Sequence, residues 1–278
     1  MNNNIVLPNF LNPRKFQDLI RIGKDNDGGY IVRSQDIDDT RNLISLGISF
    51  DFSFEEDFLK KNKKVNISSF DGSVGFKYYR KRCKYRTKYF LLNPRKKNFL
   101  NIVDGIKDLL NFSKFYRFNL FSNVKHTEKF VSLDISMFKE FEKNYGYKPE
   151  IIEFDEIISS NLNQIYFSID IEGQEYDLLD DLCRFSNKIT GLNIEFHNVD
   201  KNLKTIESFI KKFDLLLIHT HINNFGKIID GIPSVIELTF SNNFEKVNSN
   251  NYELTNYLPI ALDQPNNIEG EDYSVTFK

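Results

Sequence analysis

Apolar and polar residues alternate along this 278-residue chain in blocks that predict strands separated by helices. Short apolar runs ending at glycine or polar residues predict strands at 41–49, 64–71, 165–170, 190–196, 213–220 and 234–240. Patterns of helical period predict helices at 53–62, 175–185 and 201–212. Because strands that alternate with helices form a parallel sheet covered on both faces, we predict an α/β fold.

The connection between the last two predicted strands distinguishes this sheet from other α/β sheets. It reads "NNFGKIIDGIPS" and is too short and rich in turn residues to hold a crossover helix. We therefore predict that these strands form an antiparallel hairpin. We assign residues 1–278 to one domain and residues 77–150, which are irregular and aromatic, to an inserted cap with a helix at 99–112 and a strand at 128–135.

Composition is that of an ordinary globular protein, with 40% hydrophobic and 27% charged residues and a net charge of −2. No apolar run approaches the roughly 20 residues of a membrane helix, and the start lacks the order of a secretory signal. We expect a cytoplasmic protein without membrane insertion. The two cysteines, Cys83 and Cys183, exclude a disulfide framework or a zinc knuckle.

A basic run extends from Lys77 to Lys97, with ten Lys or Arg residues, no acid and interleaved aromatic residues. The rest of the chain then carries a net charge of −12, so the run indicates an anionic partner. Basic and aromatic residues alternate in this way in single-strand binders, but an acidic chain is unlike a nucleic-acid-binding domain. We expect no nucleic acid partner and favour the diphosphate of a nucleotide-linked sugar, contacted by Arg80, Arg82 and Arg86.

Most of the chemically active side chains on apolar strands lie at carboxyl ends, where α/β sheets bind ligands. These residues are Asp71, Asp170, Glu195, His197, His219, His221 and Asn223, while Gly47 closes the first of these strands and lets a ligand lie against the backbone. Asp71 also fits a role in capping the next turn. Glu175 fits best as an acid that favours the N-terminus of the following helix. Asp170 differs, because an acid that ends an apolar strand must be solvated or bound.

Four segments resemble the FkbM-type S-adenosylmethionine-dependent methyltransferases over about residues 20–75 and 150–241. They are "LISLGISFDFSFEEDF", "FSIDIEGQEYDLL", "GLNIEFHN" and "HTHINNFG…IPSVIELTF". The resemblance implies a Rossmann-like, seven-stranded methyltransferase sheet whose last two strands are the antiparallel hairpin. It also implies methyl transfer to a hydroxyl, often on a sugar or a glycosylated product.

The resemblance also implies roles for individual residues. Ser45, Gly47 and Ser49 would hold the methionine part of S-adenosylmethionine, and Asp71 would bind the ribose hydroxyls. Many methyltransferases have an acid two residues before the first glycine and a further glycine soon after, and both are missing here. Asp51 or Glu55 would supply the missing carboxylate.

The acceptor side is predicted from the other strand ends. Catalytic roles are predicted for Asp170, Glu195, His197 and His221, and substrate contacts for Glu172, His219 and Asn223. A histidine base would remove the proton of a sugar hydroxyl. A divalent cation (Mg²⁺, Mn²⁺ or Fe²⁺) on Asp170, Glu195 and His197 would instead lower the pKa of that hydroxyl. The residues leave both mechanisms open.

Other classes of protein also have α/β sheets with acids and histidines at the strand ends. A nicotinamide-dependent oxidoreductase would show Gly-x-Gly-x-x-Gly after the first strand, whereas "LGISFDFS" has one glycine. A metal-dependent hydrolase and a non-catalytic sugar-binding module with a methyltransferase-like fold remain as alternatives. Self-association into a homo-oligomer is also left open.

Overall fold

The protein is described from a computed structural model. The described residues are 4–49, 51–75, 110–132, 138–139, 141–143, 146, 148–158, 162–242 and 253–278. The basic run at 77–97, with Arg80, Arg82 and Arg86, lies outside them. The division into one domain with a cap therefore stays a prediction.

Short strands and helices alternate along the described residues. The strands are β1 (Asn4–Leu7), β2 (Leu19–Gly23), β3 (Gly29–Arg33), β4 (Asn42–Leu46), β5 (Asn66–Phe70), β6 (Val124–Thr127), β7 (Phe130–Val131), β8 (Ile151–Ile152), β9 (Ile165–Ile169), β10 (Ile189–His197), β11 (Leu216–Ile222), β12 (Ile228–Ile229), β13 (Ile232–Pro233), β14 (Val235–Ser241), β15 (Tyr257–Leu258) and β16 (Ser274–Phe277). The helices are α1 (Ser34–Asp39), α2 (Ser53–Lys61), α3 (residues 110–118), α4 (Phe154–Ile157), α5 (Leu179–Arg184) and α6 (Val199–Lys212). None of these helices is long and apolar enough to cross a bilayer.

The central sheet has seven strands in the order β11-β14-β10-β9-β4-β5-β6. Strands β4, β5, β6, β9 and β10 pair with one another in parallel, whereas β14 lies between β10 and β11 and is antiparallel to both. This is the Rossmann-like sheet of methyltransferases. The α/β prediction and the antiparallel pairing of the last two strands are confirmed.

The edge of this sheet differs from the sequence-based expectation. The edge strand is Val124–Thr127, which pairs with β5 and lies inside the segment predicted as a cap. Of the strand predicted at 128–135, residues 128–132 are described, and they contain the short strand Phe130–Val131, which pairs with β8 and not with the central sheet. Val124–Thr127 reads "VKHT" and has one buried apolar residue, so the local pattern is weak and pairing with β5 decides its structure.

The two faces of the sheet differ in chemistry. Because side chains along a strand point to alternate faces, each strand contributes to both. On one face, apolar residues such as Ile169, Phe196 and Leu238 pack in a core that includes α5 and α6. The opposite face is also apolar near the amino ends of the strands, where Leu43 and Tyr166 pack against α2.

Polar residues take over on this second face towards the carboxyl ends of the strands. One register row holds Ser69, Ser45, Ser168, Asn193, Thr239 and His219. The next row holds His221, Glu237 and Glu195, with Asp170 directly after β9. The sheet therefore gathers ionisable groups at one end of one face.

The C-terminal residues 253–278 cover part of this polar end. Strands β15 and β16 form a small sheet with β1. The stretch between β15 and β16 brings Asp263, Asn266 and Asp272 to the side chains of β11 and β14. The sequence contained no signal that this segment would reach the strand ends.

Candidate functional site

A cavity of about 620 Å³ opens at the carboxyl ends of β4, β9 and β10. Its walls come from the β2–β3 turn, the loop after β4, the start of α2, and the loop after β9. The lining includes Tyr30, Ser45, Ser49, Glu55, Asp170 and Glu195. Its volume lies within the range of roughly 300–1,000 Å³ that is typical of ligand and cofactor pockets.

The loop after β4 depends on Gly47, which has φ +81°. A Cβ atom here would lie 1.7 Å from the carbonyl oxygen of Asp170, so any other residue would push β9 away. Glycine therefore allows the ends of β4 and β9 to meet at the cavity, in addition to the ligand access that we predict for it.

Asp71 ends β5 and fixes this loop from behind. Its Oδ2 accepts the backbone N–H of Ser49 at 2.8 Å. Its Oδ1 accepts the backbone N–H and the hydroxyl of Ser73, at 2.7 and 2.6 Å. The carboxylate thus holds the turns on both sides, as the capping interpretation proposes. Because a carboxylate offers about four acceptor sites, one is left for the predicted contact with ribose.

Two further acids predicted for the donor line the cavity. Asp51 accepts the backbone N–H of Ser53 at 3.0 Å and faces the Lys24 ammonium at 3.6 Å. Glu55 lies on α2 beside Ser45, and burial raises the pKa of Glu55 to about 7. Both acids therefore line the cavity, and a contact of either with the donor stays a prediction.

The stretch from Asp170 to Glu175 forms a tight turn at the end of β9. Glu172 and Gly173 have φ values of +55° and +104°. The turn folds Glu175 back into the protein, where it is fully buried and its Oε1 accepts the N–H groups of Ile171 (3.3 Å) and Gly173 (2.9 Å). Glu175 stands at the start of a 3-10 turn, as expected, but it is buried rather than solvated.

His197, the last residue of β10, lies against this turn. Its Nδ1 is 3.1 Å from Glu175 Oε1, while its Nε2 is 3.5 Å from Glu172 Oε2 and 3.6 Å from Glu195 Oε1. Burial alone would lower the pKa of His197, but the hydrogen bond to Glu175 and the surrounding carboxylates raise it above its ordinary value. The ring therefore binds Glu175 through one nitrogen and turns the other towards two acids of the cavity wall.

The carboxyl groups next to His197 are also perturbed. Burial raises the pKa of Asp170 to about 7, with the charges of Glu172 and Glu175 adding to the rise and His197 opposing it. Burial and the nearby Asp170 raise the pKa of Glu195 well above its usual range. Within the described residues, Asp170 Oδ1 has no hydrogen-bond partner. Shifts of this kind at a cavity are typical of active sites.

The cluster also has the composition of a metal site. Ligand atoms of Asp170, Glu175 and His197 all lie within 4.8 Å of one another. This set shares Asp170 and His197 with the predicted ligands and has Glu175 in place of Glu195. The need for a divalent cation stays a prediction.

The two histidines of β11 are placed differently, outside the lining of this cavity. His221 is 6% exposed, with Nδ1 3.3 Å from Glu237 Oε2 and Nε2 3.2 Å from Asp272 Oδ2. Burial would lower the pKa of His221, but these two carboxylates raise it to about 10, so the ring is a buried cation at neutral pH. His219 Nε2 lies 3.0 Å from Asp263 Oδ1. The predicted catalytic role of His221 and substrate contact of His219 find no support in this placement.

Asn223 lies between the two groups of residues. Its Nδ2 donates to Glu195 Oε1 at 2.9 Å, so its contact is with a cavity residue and a substrate contact remains a prediction. Sequence reasoning did not identify Glu237. The available signal was its position in "VIELTF", where an acid interrupts a strand that is otherwise mostly apolar.

Lys24, Tyr30, Asn111 and Lys114 were also missed as cavity residues. The glycine-rich stretch "DNDGGY" is a local signal for a turn next to Tyr30, but it does not indicate that the turn borders a cavity. Only tertiary packing brings this turn and α3 to the loop after β4.

No protein-family model matches the chain, and no curated protein sequence does. Among solved structures, M. jannaschii TYW2 in complex with AdoMet matches with 11% identity and a TM-score of 0.33, over 74% of this chain and 70% of that chain. Precorrin-6y C5,15-methyltransferase from Geobacter metallireducens matches with 9% identity and a TM-score of 0.33, over 76% and 87%.

The METTL16 methyltransferase domain matches with 10% identity and a TM-score of 0.34, over 74% of this chain and 61% of that chain. These similar structures are all methyltransferases. The fold assignment itself rests on the strand order and on the antiparallel β14, and the seven-stranded sheet is that of the methyltransferase fold.

Proposed function

We propose that the protein is an S-adenosylmethionine-dependent O-methyltransferase that acts on a sugar hydroxyl. The observation that carries this proposal is the acid-lined cavity at the carboxyl ends of β4, β9 and β10 in a methyltransferase sheet. This is the edge of such a sheet at which ligands bind.

The cavity suits the donor. S-adenosylmethionine supplies a methyl group carried on a positively charged sulfonium. The described lining holds seven carboxyl groups and two lysines, a surface that favours a cation. Asp170 Oδ1, which has no partner in the described residues, gives a buried acceptor in the wall. Ser45, Ser49, Asp51 and Glu55 would hold the donor, with Asp71 behind the loop.

His197 would act on the acceptor. Its Nε2 faces the cavity side, next to Glu172 and Glu195, and would accept the proton of the acceptor hydroxyl as the oxygen takes the methyl group. Asp170 and Glu195 would orient the acceptor, since carboxyl groups hydrogen-bond sugar hydroxyls. Orientation of the two reactants would supply much of the rate.

The sugar is proposed to be linked to a nucleotide. The acid-rich cavity offers little to a diphosphate, so the phosphates would bind the basic run that contains Arg80, Arg82 and Arg86. A triple substitution of these arginines by glutamine should raise the KM for the acceptor and leave donor affinity unchanged. The effect should shrink at high salt, where exposed charges are screened. Loss of RNA binding with unchanged sugar turnover would contradict this assignment.

The decisive experiment is incubation with labelled S-adenosylmethionine and a panel of nucleotide-activated sugars, with an RNA pool as a parallel substrate. We expect label on a sugar hydroxyl. Label on RNA alone would overturn the substrate assignment. If S-adenosylhomocysteine does not protect the protein from thermal unfolding, the assignment of S-adenosylmethionine as the donor is wrong, and the metal-dependent hydrolase is favoured.

The same incubation with and without EDTA separates the two mechanisms left open by the residues. Activity that survives EDTA supports the histidine base alone. Activity that EDTA removes and one divalent ion restores supports a metal on the cluster of Asp170, Glu175 and His197.

A further inference from the structure

Glu175 makes contacts that a carboxylate at a helix start would not need. It is 0% exposed, although it follows an exposed turn in which Glu172 is 76% exposed. One of its oxygens, Oε1, receives two backbone N–H groups from the turn and also faces His197 Nδ1. Burying a carboxylate costs several kcal/mol unless hydrogen-bond partners compensate, so Glu175 is stable at this position only with these contacts.

We propose that Glu175 is the positioning residue for His197: it holds the proton of the neutral ring on Nδ1 and so leaves Nε2 free to accept a proton. The inference rests on the proposed function for its catalytic consequence. The two backbone N–H donors fix Oε1 at the position that faces Nδ1. A carboxylate accepts but does not donate hydrogen bonds, so this contact requires the proton to be on the ring nitrogen.

The rest of the environment supports the same orientation. The Tyr176 hydroxyl donates to the carbonyl oxygen of His197 at 2.6 Å, which fixes the backbone at the end of β10. The following Asn198 has φ +53°, so the chain turns immediately after the ring. The ring is thus held from the backbone and from Nδ1, and Nε2 is directed to the cavity acids Glu172 and Glu195.

The first test needs no substitution. At a pH where His197 is neutral, imidazole ¹⁵N NMR of the metal-free wild-type protein should show the proton on Nδ1. A free histidine side chain prefers the tautomer with the proton on Nε2, so this result would require a partner such as Glu175. A neutral His197 with its proton on Nε2 would overturn the inference, whatever the protein's activity.

The second test is Glu175→Gln, which keeps the shape and an oxygen for the two backbone N–H groups but removes the charge. We expect kcat to fall about 100-fold or more, at the scale of a lost general base. The Nδ1–H tautomer should become less populated, and the Kd for S-adenosylhomocysteine should stay the same. Unchanged kcat with an unchanged tautomer would overturn the inference.

The matched control is Asp180→Asn, which removes an exposed carboxylate from the helix that follows. We expect wild-type kcat and tautomer from it. If wild-type protein methylates no acceptor, the proposed function fails, and the NMR result still decides whether Glu175 positions His197.

Discussion

The carboxyl ends of β10 and β11 carry the same sequence pattern but differ in structure. Each strand ends with two ionisable residues spaced two apart, Glu195 and His197 on β10, and His219 and His221 on β11. His197 is 16% exposed and its Nε2 faces acids of the cavity wall. Both nitrogens of His221, in contrast, are within hydrogen-bond distance of a carboxylate, at 3.3 and 3.2 Å, and the side chain is 6% exposed. Free lone pairs and access to a ligand, rather than residue type, separate a candidate base from a structural cation.

The difference arises from what covers each strand end. The end of β10 faces the turn after β9, whose acids border the open cavity. The end of β11 is covered by the C-terminal segment, which supplies Asp263 and Asp272. A histidine that donates a hydrogen bond to a carboxylate from each ring nitrogen is stable as a cation and has no lone pair to accept a proton. Histidine is therefore a candidate base at the end of β10 and a structural cation at the end of β11.

Substituting the same residue at both ends tests this comparison, and the largest effect is expected at His197. Asparagine can place its amide near the position of Nδ1, which keeps a donor for Glu175, but offers nothing at Nε2. His197→Asn should lower methyl transfer by about 10²–10⁴-fold, as expected for loss of a general base. Steady-state kinetics with labelled donor measure it.

The controls for His197→Asn are the unfolding transition and donor affinity, both of which should stay close to wild type. Wild-type turnover in this variant would show that His197 is not the base. A large loss of stability would instead make the end of β10 a structural site like that of β11.

His221→Asn should show the reverse behaviour. Removing the cation leaves the buried Glu237 and the largely buried Asp272 without their partner, and breaking a buried ion pair costs about 3–5 kcal/mol. Denaturant unfolding should report this loss in the free energy of unfolding. Turnover per folded molecule should change little, because His221 lies outside the cavity. A variant that is stable but inactive would show instead that His221 has the catalytic role predicted from the sequence.

The pH dependence of stability should follow His221 as well. Its pKa in the folded protein is about 10, raised above the ordinary value of 6.5. The stabilisation by the cation is therefore fully present below about pH 6.5 and is lost as the pH rises through about 10. Unfolding at a series of pH values should show this decline, no larger than the loss in His221→Asn. In that variant the alkaline slope should be smaller, and an identical slope would contradict the assignment.

The sequence predicted the fold better than the site because the strands and helices follow from the local spacing of apolar residues. Apolar runs located six of the seven sheet strands to within a few residues, and the length of the connection after β11 predicted the antiparallel β14. Strand β6 was missed because its four residues carry little apolar pattern. Partners far apart in sequence determine what surrounds the site. His221, beside the cavity, contacts Asp272, 51 residues away, and Asn26, in the β2–β3 turn that borders the cavity, contacts Gln264, 238 residues away.

Glu175 shows the same limit at short range. Its position in the sequence predicts an acid at a helix start, which is where it lies. Its burial and its contact with His197 depend on the positive φ values of Glu172 and Gly173, which direct the chain inward. Local sequence identifies the turn, but only the packed turn shows which acid points to the histidine.

The smallest effect is expected from a substitution of Asp71, at the end of β5. This residue combines a structural role with a proposed role in donor binding. Ser49 and Ser73 occupy three of its roughly four acceptor sites, which is a structural role, yet it lies directly behind the proposed donor loop. Asp71→Ala leaves these donors unpaired and frees the loop, so S-adenosylhomocysteine binding should weaken by about 1–3 kcal/mol. Calorimetry measures the Kd, with Asp38→Ala, at an exposed position of α1, as the control for lost charge. Unchanged binding with lower stability would show that Asp71 has a structural role, like His221 on β11, and does not belong to the donor site.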